Sequence, residues 1–277
     1  KQQIKELDSS ILLLTHQIET MTKDLAKKEE LEQKWETESH KKDMIKELEQ
    51  LFKGNAFIEY VAKNPFFYHW YPFFVFLLGT GCRIGEAIGI RWDDVDMKKR
   101  TISINHSLTY YVRREDSTKC EFRVSEPKTA AGVRTIPMMK PVYEALKSEY
   151  ERQEEEGFCI ANIDEMTNFI FTNRFGNPHN PQAVNRAIKR IVDAHNAEEE
   201  VAAKKEKREP VMIPRFSCHI FRHTFASRFC ENETNVKVIQ EVMGHADVST
   251  TMNIYAEANP EVTKEALEKL AKNMDVF

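Results

Sequence analysis

Alternation of apolar and polar residues, the pattern of a half-buried β-strand, is confined to one region of this 277-residue chain. It runs through residues 100–112 (Ile102, Ile104, Leu108) and returns at residues 121–124 and 133–137, on either side of a turn at residues 129–132. Most other apolar residues recur at steps of three and four, which is the spacing of one helix face. The sequence therefore predicts a mainly α protein with a small antiparallel β-sheet, an α+β fold.

The first 52 residues differ in composition from the rest of the chain. Among Lys, Glu and Gln, apolar residues occupy the a and d positions of a heptad seam: Ile4, Leu7, Ile11, Leu14, Ile18, Met21 and Leu25. We therefore predict a coiled coil, or a long helix docked on a partner, in residues 1–52. An amphipathic helix packed on its own domain is the open alternative. Residues 53–277 are predicted to form a separate domain that holds all the candidate functional residues.

The overall charge does not indicate a nucleic-acid partner. The chain carries a net charge of −4, so such a partner has to be inferred from local charge. Residues 197–210 are highly charged and lack an apolar period, and we predict a mobile or partner-dependent segment there. Its basic residues, with Arg215, Arg222 and Arg228, make this neighbourhood locally basic, as expected for a surface that contacts a phosphate backbone.

The cysteines and the apolar runs indicate the cellular compartment in which the protein is expected. Cysteines at positions 82, 120, 159, 218 and 230 are odd in number and irregularly spaced, which favours reduced thiols. No signal-peptide pattern opens the sequence, and the apolar run at residues 73–78 is far too short to span a bilayer. We therefore expect a cytoplasmic protein that does not associate with a membrane.

A histidine and an arginine lie three positions apart in front of an apolar run. On a helix, this spacing places His219 and Arg222 on one face. A planar guanidinium beside an imidazole is suited to a tetrahedral oxyanion such as phosphate. His223 points to a different face, and we interpret it as structural.

Arg83 follows a glycine-rich break at residues 79–81 and precedes a helical pattern. It is therefore predicted at the first turn of a helix, where backbone N–H groups and the helix dipole favour an anion. A surface arginine that merely pairs with Glu86, one turn later, is the competing interpretation.

Three further residues belong to the candidate set. Lys128 precedes the predicted hairpin turn, although a lone lysine near a turn is usually only solvated. Gly244 is predicted to end a helix in the left-handed conformation, and His245 follows it directly. Tyr255 lies in the next helical pattern, for which residues 249–251 offer N-cap oxygens.

Taken in order, these motifs resemble the catalytic domain of the tyrosine recombinases, in a variant close to the integrases of conjugative transposons. The resemblance covers approximately residues 53–258, and it rests on Arg83 in Thr-Gly-Cys-Arg-Ile-Gly-Glu, Lys128, His219-x-x-Arg222, Gly244-His245 and Tyr255. Each motif alone is ordinary, but five in this order and at these intervals form a specific signature. The segment before residue 53 does not resemble the DNA-clamping domain that usually precedes this catalytic domain.

The resemblance implies a fold, a reaction and a set of roles. The fold is the DNA breaking–rejoining fold, and the reaction is phosphoryl transfer without metal, cofactor or ATP. Tyr255 would attack a DNA phosphate to give a 3′-phosphotyrosine, with Lys128 as the general acid for the 5′-oxygen. Four side chains would stabilise the transition state: Arg83, His219, Arg222 and His245. The partner would be double-stranded DNA in a bacterial cytoplasm, during integration and excision of a mobile element, and the protein would self-associate as a tetramer on DNA or as a coiled-coil dimer.

Three alternatives stay open at this point. Zinc could be held by Cys218, His219, His223 and Cys230, although their spacing matches no familiar zinc pattern. The chain could instead be a non-enzymatic coiled-coil protein whose globular part only binds DNA. It could also be a topoisomerase with the same chemistry, which relaxes supercoils without site preference.

Overall fold

The structure is a computed structural model that describes residues 56–112, 120–127, 129–232 and 235–258, with isolated helical residues between 21 and 32. The chain divides into two units, Lys1–Gln50 and Leu51–Phe277. In the first unit, the described residues are helical and exposed, and Lys28 pairs with Glu32 one turn later. Most of the predicted heptad seam lies outside the described residues, so the coiled coil stays a prediction.

The second unit is mainly helical, as predicted. Its α-helices follow the chain in this order: α1 Ala56–Lys63, α2 Tyr71–Thr80, α3 Ile84–Gly89, α4 Lys140–Glu156, α5 Pro181–Glu206, α6 His219–Asn232, α7 Val236–Met243 and α8 Val248–Ala258. Short 3₁₀ turns cover Tyr68–Trp70, Trp92–Asp94 and Ala130–Gly132. None of these described helices combines the length and apolar character that a membrane crossing needs.

The strands form two small antiparallel sheets. Strands β1 (Val95–Asp96), β2 (Thr101–Ile104) and β5 (Arg134–Pro137) make one sheet with β2 in the centre. Strands β3 (Ser107–Val112) and β4 (Cys120–Ser125) make a separate hairpin. The prediction of a small antiparallel sheet is confirmed, but the alternating run at residues 100–112 is two strands that belong to different sheets.

Helix α2 is the centre of the core. It is apolar on all sides and almost entirely buried, as expected of a helix enclosed by other elements. Phe73 packs edge-on against Phe171, and Phe74 stacks on Phe221 of α6 with ring centroids 5.3 Å apart. The helix ends at Gly81 with φ +62°, and a Cβ there would lie 2.3 Å from a ring carbon of Phe225. This close approach brings the carbonyl of Gly81 against α6.

Two sequence predictions outside the core are wrong. Residues 197–210 are not a mobile segment, because α5 continues through most of them to Glu206. Arg208 pairs with Glu199, and the side chain of Asn196 binds both backbone polar groups of Ile213, so the chain is fixed where it turns back. The predicted N-cap at residues 249–251 lies inside α8, and Asp247 instead accepts a hydrogen bond from the backbone N–H of Ser249 (2.9 Å).

Candidate active site

The C-terminal end of α7 is the meeting point of three guanidinium groups. The last carbonyls of a helix lack partners within the helix and carry the negative end of its dipole. Arginines from three different elements donate to the carbonyls of consecutive residues: Arg134 to Val242 (2.8 Å), Arg222 to Met243 (2.6 Å) and Arg83 to Gly244 (3.1 Å). Gly244 has φ +62°, as predicted for a left-handed cap. The end of this short helix therefore ties β5, α6 and the start of α3 together.

The guanidinium of Arg83 forms an ion pair and is still partly exposed to solvent. It is the N-cap of α3, and Glu86 accepts from its backbone N–H and from its Nη1, each at 2.9 Å. Its side chain nevertheless remains 46% exposed, whereas that of Glu86 is 8% exposed. The ion pair expected under the competing interpretation is thus present, but it orients a guanidinium that still faces solvent beside Gly244.

Glu86 binds a second arginine that sequence reasoning missed. Arg134 donates through Nη2 to Glu86 Oε2 (2.8 Å) and through Nη1 to Oε1 (3.3 Å), and its side chain is 6% exposed. Burial by itself raises the pKa of Glu86, but the hydrogen bonds and charge of Arg134, with those of Arg83, hold that pKa below its ordinary value. In the sequence, Arg134 is only a basic residue at the start of a strand, and no local pattern distinguishes it from a surface position.

Arg222 is buried in the interior of the site. Its Nη1 donates to the carbonyl of Gly81 (2.6 Å), so one guanidinium joins the end of α2 to the end of α7. Burial, followed by repulsion from Arg83, lowers the pKa of Arg222 to about 10. The group therefore remains charged at neutral pH, in a position where few water molecules can screen it.

Two imidazoles lie within the field of these arginines. His219 is the first residue of α6, and partial burial, followed by the charges of Arg222 and Arg83, lowers its pKa. His245 is buried, and its Nδ1 lies 3.0 Å from Thr251 Oγ1 in α8. Burial, followed by Arg222, Arg83 and Arg134, lowers the pKa of His245 to about 4. Both imidazoles are therefore mainly neutral at pH 7.

The remaining two predicted site residues are not described in full. Tyr255 lies in α8, four residues after the fully buried Thr251, but its side chain is outside the described part of the structure. Lys128 is itself outside the described residues. The 3₁₀ turn Ala130–Gly132 that follows it lies against α7, since a Cβ on Gly244 would be 3.0 Å from the carbonyl oxygen of Ala131.

The site is suited to an anion rather than to a metal. With neutral imidazoles, three arginines face one carboxylate, and Arg83 leaves part of its guanidinium open. Within the residues that the structure describes, no cluster of three or more His, Cys, Asp or Glu side chains could hold a metal ion. Cys218 and Cys230 are buried, and the ring of His219 contacts that of His223 edge-on at 4.7 Å. The structure therefore gives no support to the zinc interpretation.

The curated proteins to which the chain is similar include recombinases, transposases and integrases. The chain is 26% identical to a tyrosine recombinase XerC-like protein of Caldanaerobacter subterraneus subsp. tengcongensis, over 71% of this chain and 48% of that protein. It is 29% identical to the transposase from transposon Tn916 of Enterococcus faecalis, over 73% of this chain and 45% of the relative. The chain thus spans about half the length of the curated relatives it matches.

Solved structures and a family model complete the comparison. A Tn1549 transposon integrase in complex with transposon right end DNA aligns with a TM-score of 0.66 and 29% identity, covering 79% of this chain and 64% of that one. XerA recombinase, at 20% identity and a TM-score of 0.50, shares the fold. The model of the phage integrase family matches residues 47–261. The chain therefore belongs to the phage integrase family, the tyrosine recombinases.

Proposed function

We propose that this chain cleaves and rejoins double-stranded DNA as the catalytic part of a site-specific integrase, for integration and excision of a mobile element. Its family membership supports this proposal, as do relatives that include a Tn916 transposase and a Tn1549 integrase bound to transposon DNA. Residues 53–277 would carry the chemistry, and residues 1–52 would act as a coiled coil or docked helix.

The observation that carries the proposal is the meeting of Arg83, Arg222 and their two neighbouring imidazoles at the end of α7. When a phosphodiester is attacked, negative charge builds on its non-bridging oxygens. Donors that are already fixed in place stabilise this charge without reorganisation. Arg222 is anchored at both ends of its guanidinium, and Arg83 is held by Glu86, so both are preorganised for that role.

In the proposed reaction, the phenol oxygen of Tyr255 attacks the scissile phosphorus, and the bond from phosphorus to the 5′-oxygen breaks. The products are a 3′-phosphotyrosine and a free 5′-hydroxyl. A phenol has an ordinary pKa near ~10, so it needs a base and a stabilised transition state to react at neutral pH. His245 and His219 are mainly neutral at pH 7, so either imidazole can accept the phenol proton or donate an N–H to the phosphate.

Lys128 is proposed to protonate the departing 5′-oxygen. The phosphotyrosine conserves the energy of the phosphodiester bond, so the 5′-hydroxyl of another strand can reverse the step without ATP. The arginines would supply the positive charge that a metal ion supplies in many other phosphoryl transfers. Strand exchange between two duplexes would require self-association on DNA, and the reaction would take place in the bacterial cytoplasm.

The test is the rate of covalent adduct formation on a nicked suicide duplex that carries candidate element ends. Arg222→Ala should slow this step by about 10²–10³-fold, the range for loss of one preorganised oxyanion donor. Arg123→Ala is the matched control and should form the adduct at a near-normal rate, because Arg123 is an exposed arginine on β4, outside the candidate site. A near-normal rate in Arg222→Ala would contradict the proposal.

A further inference from the structure

A basic cavity lies at the end of α2 that is opposite to Arg222. Arg222 contacts Gly81 at the C-terminal end of this helix, whereas a cavity of about 540 Å³ opens beside Trp70 and Phe73 at its N-terminal end. A helix of this length rises by about 15 Å. The cavity is therefore separate from the candidate active site, and its lining includes no residue of that site.

The charge of this cavity is not balanced. Arg152, Arg174, Arg186 and Arg190 all line it. Arg152 pairs with two carboxylates of the lining, Glu149 and Glu156, so these three side chains together carry one excess negative charge. Within the described part of the chain, the other three have no carboxylate at ion-pair distance. The four arginines and two glutamates of the lining therefore give the cavity a net charge of +2, with its histidines neutral, in a chain whose net charge is −4.

The positive charges of the cavity contribute to lowered pKa values in two of its histidines. Burial, followed by the charges of Arg152 and Arg190, lowers the pKa of His69. Burial, followed by His69 and Arg152, lowers the pKa of His179 to about 4. The ring of His179 stacks on Trp70 with centroids 4.3 Å apart. An anion bound between these groups would be stabilised by the arginines and would in turn favour the imidazolium form of His179.

The shape and lining favour carboxylates on a peptide over nucleic acid. The rings at the floor belong to Trp70, Phe73 and Phe171, all buried, so they offer no free face on which a base could stack. Phe175 is 65% exposed, but the guanidinium of Arg174 already covers its ring at 4.8 Å.

The spacing of Arg186 and Arg190 also matches that of two carboxylates on a helical partner. Arg186 and Arg190 lie one turn apart on α5, which places their Cβ atoms about 5–6 Å from each other. Two carboxylates one helical turn apart on a partner have the same spacing, and each can accept a two-pronged hydrogen bond from a guanidinium.

We propose that this cavity is a docking site for an acidic protein segment, with carboxylates bound by Arg174, Arg186 and Arg190. The site goes beyond the proposed DNA chemistry. The cavity lies at the other end of α2 from Arg222, so its occupant would not have to enter the candidate active site. Binding there would offer a means of recruiting or regulating the recombinase through a second protein.

A blocked hexaglutamate peptide, titrated into the full chain by calorimetry at low salt, tests the proposal. The variant Arg186→Gln/Arg190→Gln should weaken binding at least tenfold, and both side chains are exposed, so the fold should survive. Lys204→Gln/Lys205→Gln on the same helix changes the charge equally outside the cavity and should leave the affinity within twofold of the original. In NMR titrations, bound peptide should raise the pKa of His179 from its low value.

Three results would overturn the proposal. Absence of binding at millimolar peptide is the first. Equal loss of affinity in both double variants is the second, because it would show only a general attraction to positive charge. Displacement of the peptide by inorganic phosphate or by short duplex DNA, with the same dependence on Arg186 and Arg190, is the third and would identify a phosphate site instead. Failure of DNA cleavage would not affect any of these readouts.

Discussion

Arg134 and Glu86 form a buried, two-pronged ion pair that joins β5 to the first turn of α3, with its shorter contact at 2.8 Å. The same carboxylate holds the backbone and guanidinium of Arg83. Glu86 is therefore shared between a buried arginine that also binds α7 and a half-exposed arginine that faces the candidate phosphate site. The position of Arg83 depends on a pair that is 48 residues apart in the chain.

Removing Arg134 should be strongly destabilising. Arg134→Met leaves Glu86 buried with only Arg83 as a cationic partner and frees the carbonyl of Val242. Breaking a buried pair in this way costs about 3–5 kcal/mol, and urea unfolding followed by circular dichroism measures it. Lys147→Met is the control: it removes a cation from an exposed pair with Glu151 one turn later on α4, and its effect should be much smaller.

A double-mutant cycle separates the pair from general damage. Glu86→Gln/Arg134→Met should be less destabilised than the sum of the two single variants, because the second substitution removes the charge that the first left unpaired. Strict additivity would contradict a direct interaction between the two side chains.

Gly81→Ala should disturb the carbonyl group of residue 81, which accepts a hydrogen bond from Arg222. The substitution strains a residue with φ +62° by about 1–2 kcal/mol and adds a clash with Phe225, which costs a further ~1–3 kcal/mol. Gly176→Ala is the control, since Gly176 has φ +71° and its added Cβ would meet the exposed side chain of Ile160, which can move. Thermal unfolding of both variants measures the difference, and equal losses would show that the contact with Phe225 is unimportant.

Local pattern was sufficient to predict several helix ends in and around the candidate site. Gly244 ends α7 in the left-handed conformation as predicted, because a helix end that needs positive φ leaves a glycine in the sequence. His219 and Arg222 open α6 as their spacing indicates. The predicted roles of the six site residues are untested, and they stand as proposals.

Long-range contacts account for what the sequence did not predict. Arg134 looks like any strand residue, and its importance comes from Glu86 and Val242, which tertiary folding brings to it. The charged residues after position 197 lack an apolar period, yet they continue α5 because Arg208 and Asn196 fix its far end. Periodicity reports burial against a core, so it cannot detect a helix end held by polar contacts.

The free energy of unfolding should decrease as pH falls below 6.5, in a window set by two buried histidines. His245 and His179 have pKa values of about 4 in the folded chain, below the ordinary value of 6.5. Between these values the unfolded chain binds a proton at each imidazole and the folded chain does not. The stabilisation is therefore complete above pH 6.5 and is lost as pH falls toward 4, by up to about 3 kcal/mol for each residue.

Urea unfolding at a series of pH values tests this account. His245→Gln and His179→Phe should each flatten the dependence of the unfolding free energy on pH between 6.5 and 4. If both variants keep the full slope of the original protein, the two buried imidazoles do not titrate as described.

Lys128→Ala should cleave DNA slowly because the 5′-oxygen leaves poorly without a proton. A substrate with sulfur at that 5′ position needs little protonation, so the variant should recover most of its cleavage rate on it. Lys140→Ala, at the exposed first residue of α4, is the control and should cleave both substrates normally. Failure of the sulfur substrate to rescue Lys128→Ala would rule out the role as general acid.

The most direct measurement is peptide mapping of the covalent adduct formed on a suicide duplex with candidate element ends. The account predicts a 3′-phosphate linked to Tyr255, with the adduct absent in Tyr255→Phe although that variant still binds the duplex. Tyr68→Phe, which removes the same phenol oxygen from an exposed residue, should form the adduct normally. An adduct on any other residue, or one that persists in Tyr255→Phe, would contradict the assignment of the site at the end of α7.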